Sequence, residues 1–99
     1  AGHVRVGKPG ITTAKSDSRG VDLVGYGPTA DSPEGTAAPG TSVGQTLERK
    51  ARPGSTSSSM QLGGADVAAG NGYDTNDNSA DFVVRAARDP QGVSSPVEP

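Results

Sequence analysis

Val21-Asp22-Leu23-Val24-Gly25-Tyr26 is the stretch on which the reading of this chain turns. Val21, Val24 and Tyr26 are β-branched or aromatic, the residue types that fit a pleated surface. Apolar side chains fall in both phases of a period-two alternation: Val21 and Leu23 in one, Val24 and Tyr26 in the other. Such a pattern predicts a strand covered on both faces. Gly27-Pro28 stops it, since Pro cannot donate to a ladder.

Upstream, Val4 and Val6 alternate with Arg5 and predict a short strand that ends at Gly7 and the Pro9-Gly10 turn. Residues 12–20 are polar, and residues 28–44 are rich in Pro, Gly, Ala, Ser and Thr without periodicity, so each reads as a loop. Residues 45–51 predict a half-exposed strand, with Leu47, Arg49 and Ala51 on one side and Thr46, Glu48 and Lys50 on the other. Residues 53–72 are low in complexity, with Met60, Leu62 and Val67 as anchors and room for one helical turn after Ser57. The last strand is expected over residues 81–86, with Phe82 and Val84 facing the core. Residues 89–99, punctuated by Pro90, Pro96 and Pro99, read as a Pro-rich linker or tail behind a β module over residues 1–88. Four short strands joined by long Gly/Ser/Pro-rich loops predict an all-β fold, a sandwich or an incomplete part of one.

Composition sets the bounds. Of 99 residues only eighteen are large and apolar, ten of them Val, against fifteen Gly and eight Pro. Glycine loses the most freedom on ordering, so this thin core predicts long loops or completion by something outside the chain. The formal net charge of −2 and three scattered aromatics do not supply the basic, stacking surface that nucleic acid needs. Arg49-Lys50-Ala51-Arg52, the densest basic patch, reads as a solvated strand edge. Without cysteine there is no disulfide or thiolate site, nothing in the stretch resembles a signal peptide, and no apolar run approaches membrane length.

Three motifs touch on chemistry. Gly40-Thr41-Ser42-Val43-Gly44 fits the Gly-x-Ser-x-Gly pattern of a hydrolase elbow. That elbow needs a strand before the serine, a helix after it and a histidine further on, whereas Ala38-Pro39 precedes Ser42 and the single histidine is His3. His3 has no companions for a metal site. In residues 74–81, Asp74, Asn76, Asn78 and Asp81 are spaced like the opening of a calcium loop, a cation that takes about six to eight oxygen ligands. Ser79 stands where such a loop has Gly and Arg85 where it has a bidentate Glu, so the favoured reading is a turn whose Asp and Asn side chains satisfy backbone N–H groups. No catalytic residue, cofactor or metal follows from these motifs.

Taken in order, Val21-Asp22-Leu23-Val24-Gly25-Tyr26-Gly27, the loop with Glu34, Gly35, Ala37, Ala38 and Pro39, Leu47-Glu48-Arg49-Lys50, and Asp74-Thr75-Asn76-Asp77-Asn78 running to Asp81-Phe82 form a series. It resembles the C-terminal part of bacterial lamin-tail domains over roughly residues 4–90. The resemblance implies an immunoglobulin-like β-sandwich that acts, without catalytic residues of its own, as an attachment or binding module of secreted or cell-surface proteins. Behind that reading come, in order, a subunit of a surface filament or layer completed by neighbouring chains and the accessory domain of a secreted nuclease or phosphatase. The family's opening strands, with an isoleucine-serine-glutamate start and a phenylalanine-isoleucine-glutamate-leucine segment, have no counterpart here. The expected partner is therefore another chain, or those strands supplied from elsewhere in the same polypeptide.

Overall fold

A computed structural model describes residues 1–90 and 93–99. Gln91 and Gly92, within the expected tail, lie outside the described residues. The elements are β1 (Gly2–Gly7), β2 (Gly20–Tyr26), β3 (Thr46–Arg49), α1 (Ser57–Met60), α2 (Asn78–Asp81) and β4 (Phe82–Arg85). Strands form two separate antiparallel pairs, β1 with β2 and β3 with β4, and both helices are single turns. The chain is thus mostly non-helical and β-type, with all four expected strands present. It forms two compact units: Ala1–Gly40 with Thr75–Ala80, and Thr41–Asp74 with Asp81–Pro99.

In the first unit, β1 and β2 pair from Gly2↔Tyr26 through Val6↔Asp22, and a register shift follows before Gly7↔Gly20. Side chains of paired residues share a face, so Arg5 lies with Leu23 and Val4 with Val24. Burial falls on the Arg5 and Leu23 face: Leu23 is buried, whereas Val4 and Val6 are 58% and 59% exposed and Val21 is 70% exposed. The expected two-sided cover of β2 is therefore corrected. Leu23 and Gly25 are buried, Val24 and Tyr26 half-buried, and Val21 sits at the irregularity, in water. Gly25 is required where it stands, because a Cβ there would come within 2.5 Å of Pro33 Cα. Arg5 reaches from β1 to the loop before β2, donating to the carbonyls of Thr12 (3.4 Å), Lys15 (3.3 Å) and Ala14. That polar loop is further closed by Asp17, which accepts from the Thr12 hydroxyl (2.8 Å) and N–H and pairs with Arg19.

In the second unit, Thr46↔Arg85 through Arg49↔Phe82 pair β3 with β4, and all four residues of β3 are half-buried, without the difference between faces that the alternation predicts. β4 corrects its expected orientation. Phe82, Val83 and Val84 are all half-buried, and the buried residue of that strand is Arg85. Its guanidinium Nη1 donates to Met60 O (3.0 Å) and to Glu48. The helical turn expected after Ser57 is α1, started by a reciprocal cap: Thr56 Oγ1 accepts from Ser59 N, and Ser59 Oγ accepts from Thr56 N. Of its three expected anchors Met60 is buried and Val67 half-buried, but Leu62 is 89% exposed, on a turn closed by Gly64 N to Gln61 O. The buried place falls instead to Asp66, which accepts from Ser55 Oγ (3.0 Å) and Ser59 Oγ (2.7 Å) and meets Arg52 Nε at 2.7 Å.

Candidate functional site

A two-stranded sheet has two edges, and those of the β1–β2 pair are treated in opposite ways. On the β2 side the edge is filled. Asn78, fully buried, donates from Nδ2 to Leu23 O (3.0 Å) and accepts on Oδ1 from Gly25 N (2.8 Å). A carboxamide is a peptide group in miniature, so it stands where a neighbouring strand's backbone would otherwise sit. The same Oδ1 accepts from Glu34 N (2.9 Å), which ties the loop to the strand. Just beyond, Ala38 N donates to Gly25 O (2.8 Å) and Ala38 O accepts from Gly27 N (2.9 Å), a short parallel bridge.

These bonds fix the phase of the other edge. Because Leu23 and Gly25 direct their backbone groups away from β1, their partners Arg5 and His3 direct theirs away from β2. No backbone hydrogen bond is made by the outward N–H and C=O groups of His3 and Arg5 among the described residues. Val4 and Val6 stand exposed between and beside them. An open backbone edge next to two exposed valines is the geometry that another extended segment can join. His3 Nδ1 lies 3.4 Å from Asp31 Oδ1.

The residues singled out by motif are placed differently. Ser42 is exposed in a turn in which Gln45 N donates to Ser42 O (3.0 Å) and Ser42 N to Gln45 Oε1 (2.8 Å). Gly44, at φ 86°, closes that turn and β3 follows, where a nucleophile elbow would have a helix. Asn78 spends both ends of its carboxamide on the backbone of Leu23, Gly25 and Glu34. Asp74 and Asp81 instead face Arg49 Nη1, at 3.5 Å and 4.0 Å. Asn76 takes the left-handed backbone region at φ 59°, which Asn tolerates in turns. Asp77 acts as an anchor, its Oδ1 accepting from Thr36 N (3.2 Å), Ser79 N (3.1 Å) and Ser79 Oγ (2.8 Å). These bonds, the Ser79 hydroxyl foremost, hold its carboxyl below the ordinary range. Among the described residues no three His, Cys, Asp or Glu side chains gather as a metal site would require.

Sequence patterning placed β1 but not its open edge. Only the bond between Asn78 and β2, contacts 53 and 55 residues apart in the chain, reveals which edge is taken. No family model matches the chain, and no curated protein or solved structure is significantly similar to it. Among the described residues no helix is long and apolar enough to cross a membrane.

Proposed function

We propose that this chain is a non-catalytic attachment module of the lamin-tail kind, working outside the cell, which joins its partner by taking an extended segment onto the edge of β1. The observation that carries this reading is the open backbone of His3 and Arg5 beside exposed Val4 and Val6. The incoming segment would continue the β1–β2 sheet toward an immunoglobulin-like sandwich. It would come from a partner chain or from elsewhere in the same polypeptide. Backbone pairing gives such contacts their affinity, and side chains alternating against Val4 and Val6 give the register.

The test uses a capped heptapeptide of alternating valine and threonine as the strand probe. Saturating probe should slow hydrogen exchange at the Arg5 amide several-fold, while the already paired Val24 amide stays unchanged. His3→Pro removes one outward donor without removing a ladder bond to β2, since proline is tolerated at that kind of edge position. The variant should fold, keep its β2 protection and lose the effect of the probe at Arg5. An Arg5 amide indifferent to the probe would overturn the reading. The non-catalytic part has its own check: ester, phosphodiester and glycosidic substrates should not turn over, and turnover abolished by Ser42→Ala would refute it.

A further inference from the structure

The loop that covers β3 is held by a residue with a chemical liability. Asn71 Nδ2 donates to Arg49 O (2.7 Å) and Glu48 Oε1 (3.2 Å), and two residues on Tyr73 N donates to Lys50 O (3.0 Å). Asn71 is exposed and is followed by Gly72. Around Gly72 there is open space: a Cβ built there meets nothing within 4 Å. A backbone nitrogen that follows asparagine and carries no side chain of its own is the least hindered nucleophile toward the asparagine Cγ.

We propose that the Asn71-Gly72 junction is a self-modification site whose conversion releases this loop from β3. The Gly72 nitrogen gives up its proton and bonds to Asn71 Cγ. The Cγ–Nδ2 bond breaks, and the amide nitrogen departs as ammonia, carrying that proton. Water then opens the five-membered imide at either carbonyl, leaving aspartate or isoaspartate at position 71. Nothing is oxidised or reduced, and water is the only co-reactant.

The geometry sets the consequence. Asn71 now offers two N–H donors to two acceptors, the Arg49 carbonyl and the Glu48 carboxylate. After conversion, position 71 bears a carboxylate that can donate to neither and repels Glu48. Glu48 is also the partner of Arg85, so the new charge arrives beside an existing ion pair. Selectivity among the three asparagines follows from their surroundings. Asn78 is fully buried with its carboxamide bonded to three backbone groups, and Asn76 is followed by Asp77 rather than glycine.

Incubation of the intact chain in mildly alkaline buffer, followed by peptide mapping, decides the matter. The amide-to-acid mass change should accumulate at position 71 at least roughly tenfold faster than at Asn76 or Asn78, and Gly72→Ala should slow it by a similar factor. Conversion at position 71 no faster than at the other two would overturn the site. For the structural half, Asn71→Asp serves as the product and Asn71→Gln as a slow-reacting control. Exchange at the Tyr73 amide should speed up several-fold in Asn71→Asp and in the aged wild-type chain alike. An unchanged Tyr73 amide in the aged chain would overturn the release of the loop, whatever the fate of the variants.

Discussion

The two units solve the same shortage of large apolar residues with different polar chemistry. In the first, the most buried side chain is the neutral amide of Asn78, whose three partners are all backbone groups. In the second, three of the four buried polar side chains carry charge, Asp66 with Arg52, Arg85 with Glu48 and Asp81 beside Arg49, and the neutral one, Ser55, donates to Asp66. Phe82 is drawn into the same arrangement, since the Arg49 guanidinium lies 4.7 Å from its ring centroid. In the first unit Asp17 pairs with a half-exposed Arg19, as Asp66 pairs with a half-exposed Arg52 in the second. A neutral amide bonded to backbone cannot be compensated by changing a side chain opposite it. An ion pair can, because its partner is a side chain too. That asymmetry is open to direct test.

The largest effect is expected at Asn78. Asn78→Ala strands the Leu23 carbonyl and the Gly25 and Glu34 amides, and at about 1–3 kcal/mol for each unsatisfied buried group the loss is about 3–9 kcal/mol. A chain of this length has about 5–15 kcal/mol in all, so most of the stability of β1 and β2 should go. Amide exchange read residue by residue checks this. Protection at β2 as strong as in the wild type would break the view of Asn78 as a substitute strand.

At Arg85 the cost should be smaller and reversible. Arg85→Met leaves Glu48 and the Met60 carbonyl without their donor, but the Glu48 side chain is 29% exposed and can rehydrate. About 2 kcal/mol is expected, below the range for a fully buried pair. Replacing Glu48 by Leu in the same chain should recover part of that loss, since some of it comes from a carboxylate that keeps only the Asn71 amide as a donor. Denaturant melts of the two singles and the double give the coupling. Absence of any recovery would erase the distinction between the two units.

The contrast also explains what could be foreseen. Strand positions were legible because a period-two pattern and Gly-Pro stops act locally, and all four strands appear where Val4, Leu23, Leu47 and Phe82 placed them. Burial within the strands was less legible. Patterning assigns interiors to apolar residues, and here Val4, Val6, Val21 and Leu62 are in water while Asn78, Asp81, Arg85 and Asp66 are inside. Asn78, Asp81 and Arg85 meet partners far away in sequence, as with Asn78 and Leu23, and no local signal announces that, whereas Asp66 draws on nearby Ser55 and Ser59. The run of Asp and Asn over residues 74–81 did signal side chains serving backbone N–H groups. What it could not tell was that those groups belong to β2 and to the loop after it.

The smallest effect tests how α1 and Asp66 are joined. Thr56→Ala removes the oxygen that accepts from Ser59 N and should cost about 1 kcal/mol, while Thr56→Ser keeps that oxygen and should cost almost nothing. Ser59→Ala should cost more than Thr56→Ala, because the Ser59 hydroxyl both accepts from Thr56 N and donates to Asp66 Oδ2. That hydroxyl is the foremost reason the Asp66 carboxyl lies below its ordinary value of 3.8, with Ser55 and Arg52 adding to it against the opposing effect of burial. A lowered carboxyl stabilises the folded chain above that ordinary value, and the gain is lost as pH falls through the lowered folded one. Ser59→Ala should therefore raise the Asp66 titration midpoint and make the loss of stability in acid shallower, whereas Thr56→Ala should leave that midpoint in place. Carboxyl chemical shifts followed through an acid titration separate the two variants. A midpoint unmoved by Ser59→Ala would mean that Arg52 and Ser55 hold Asp66 without help from the helix.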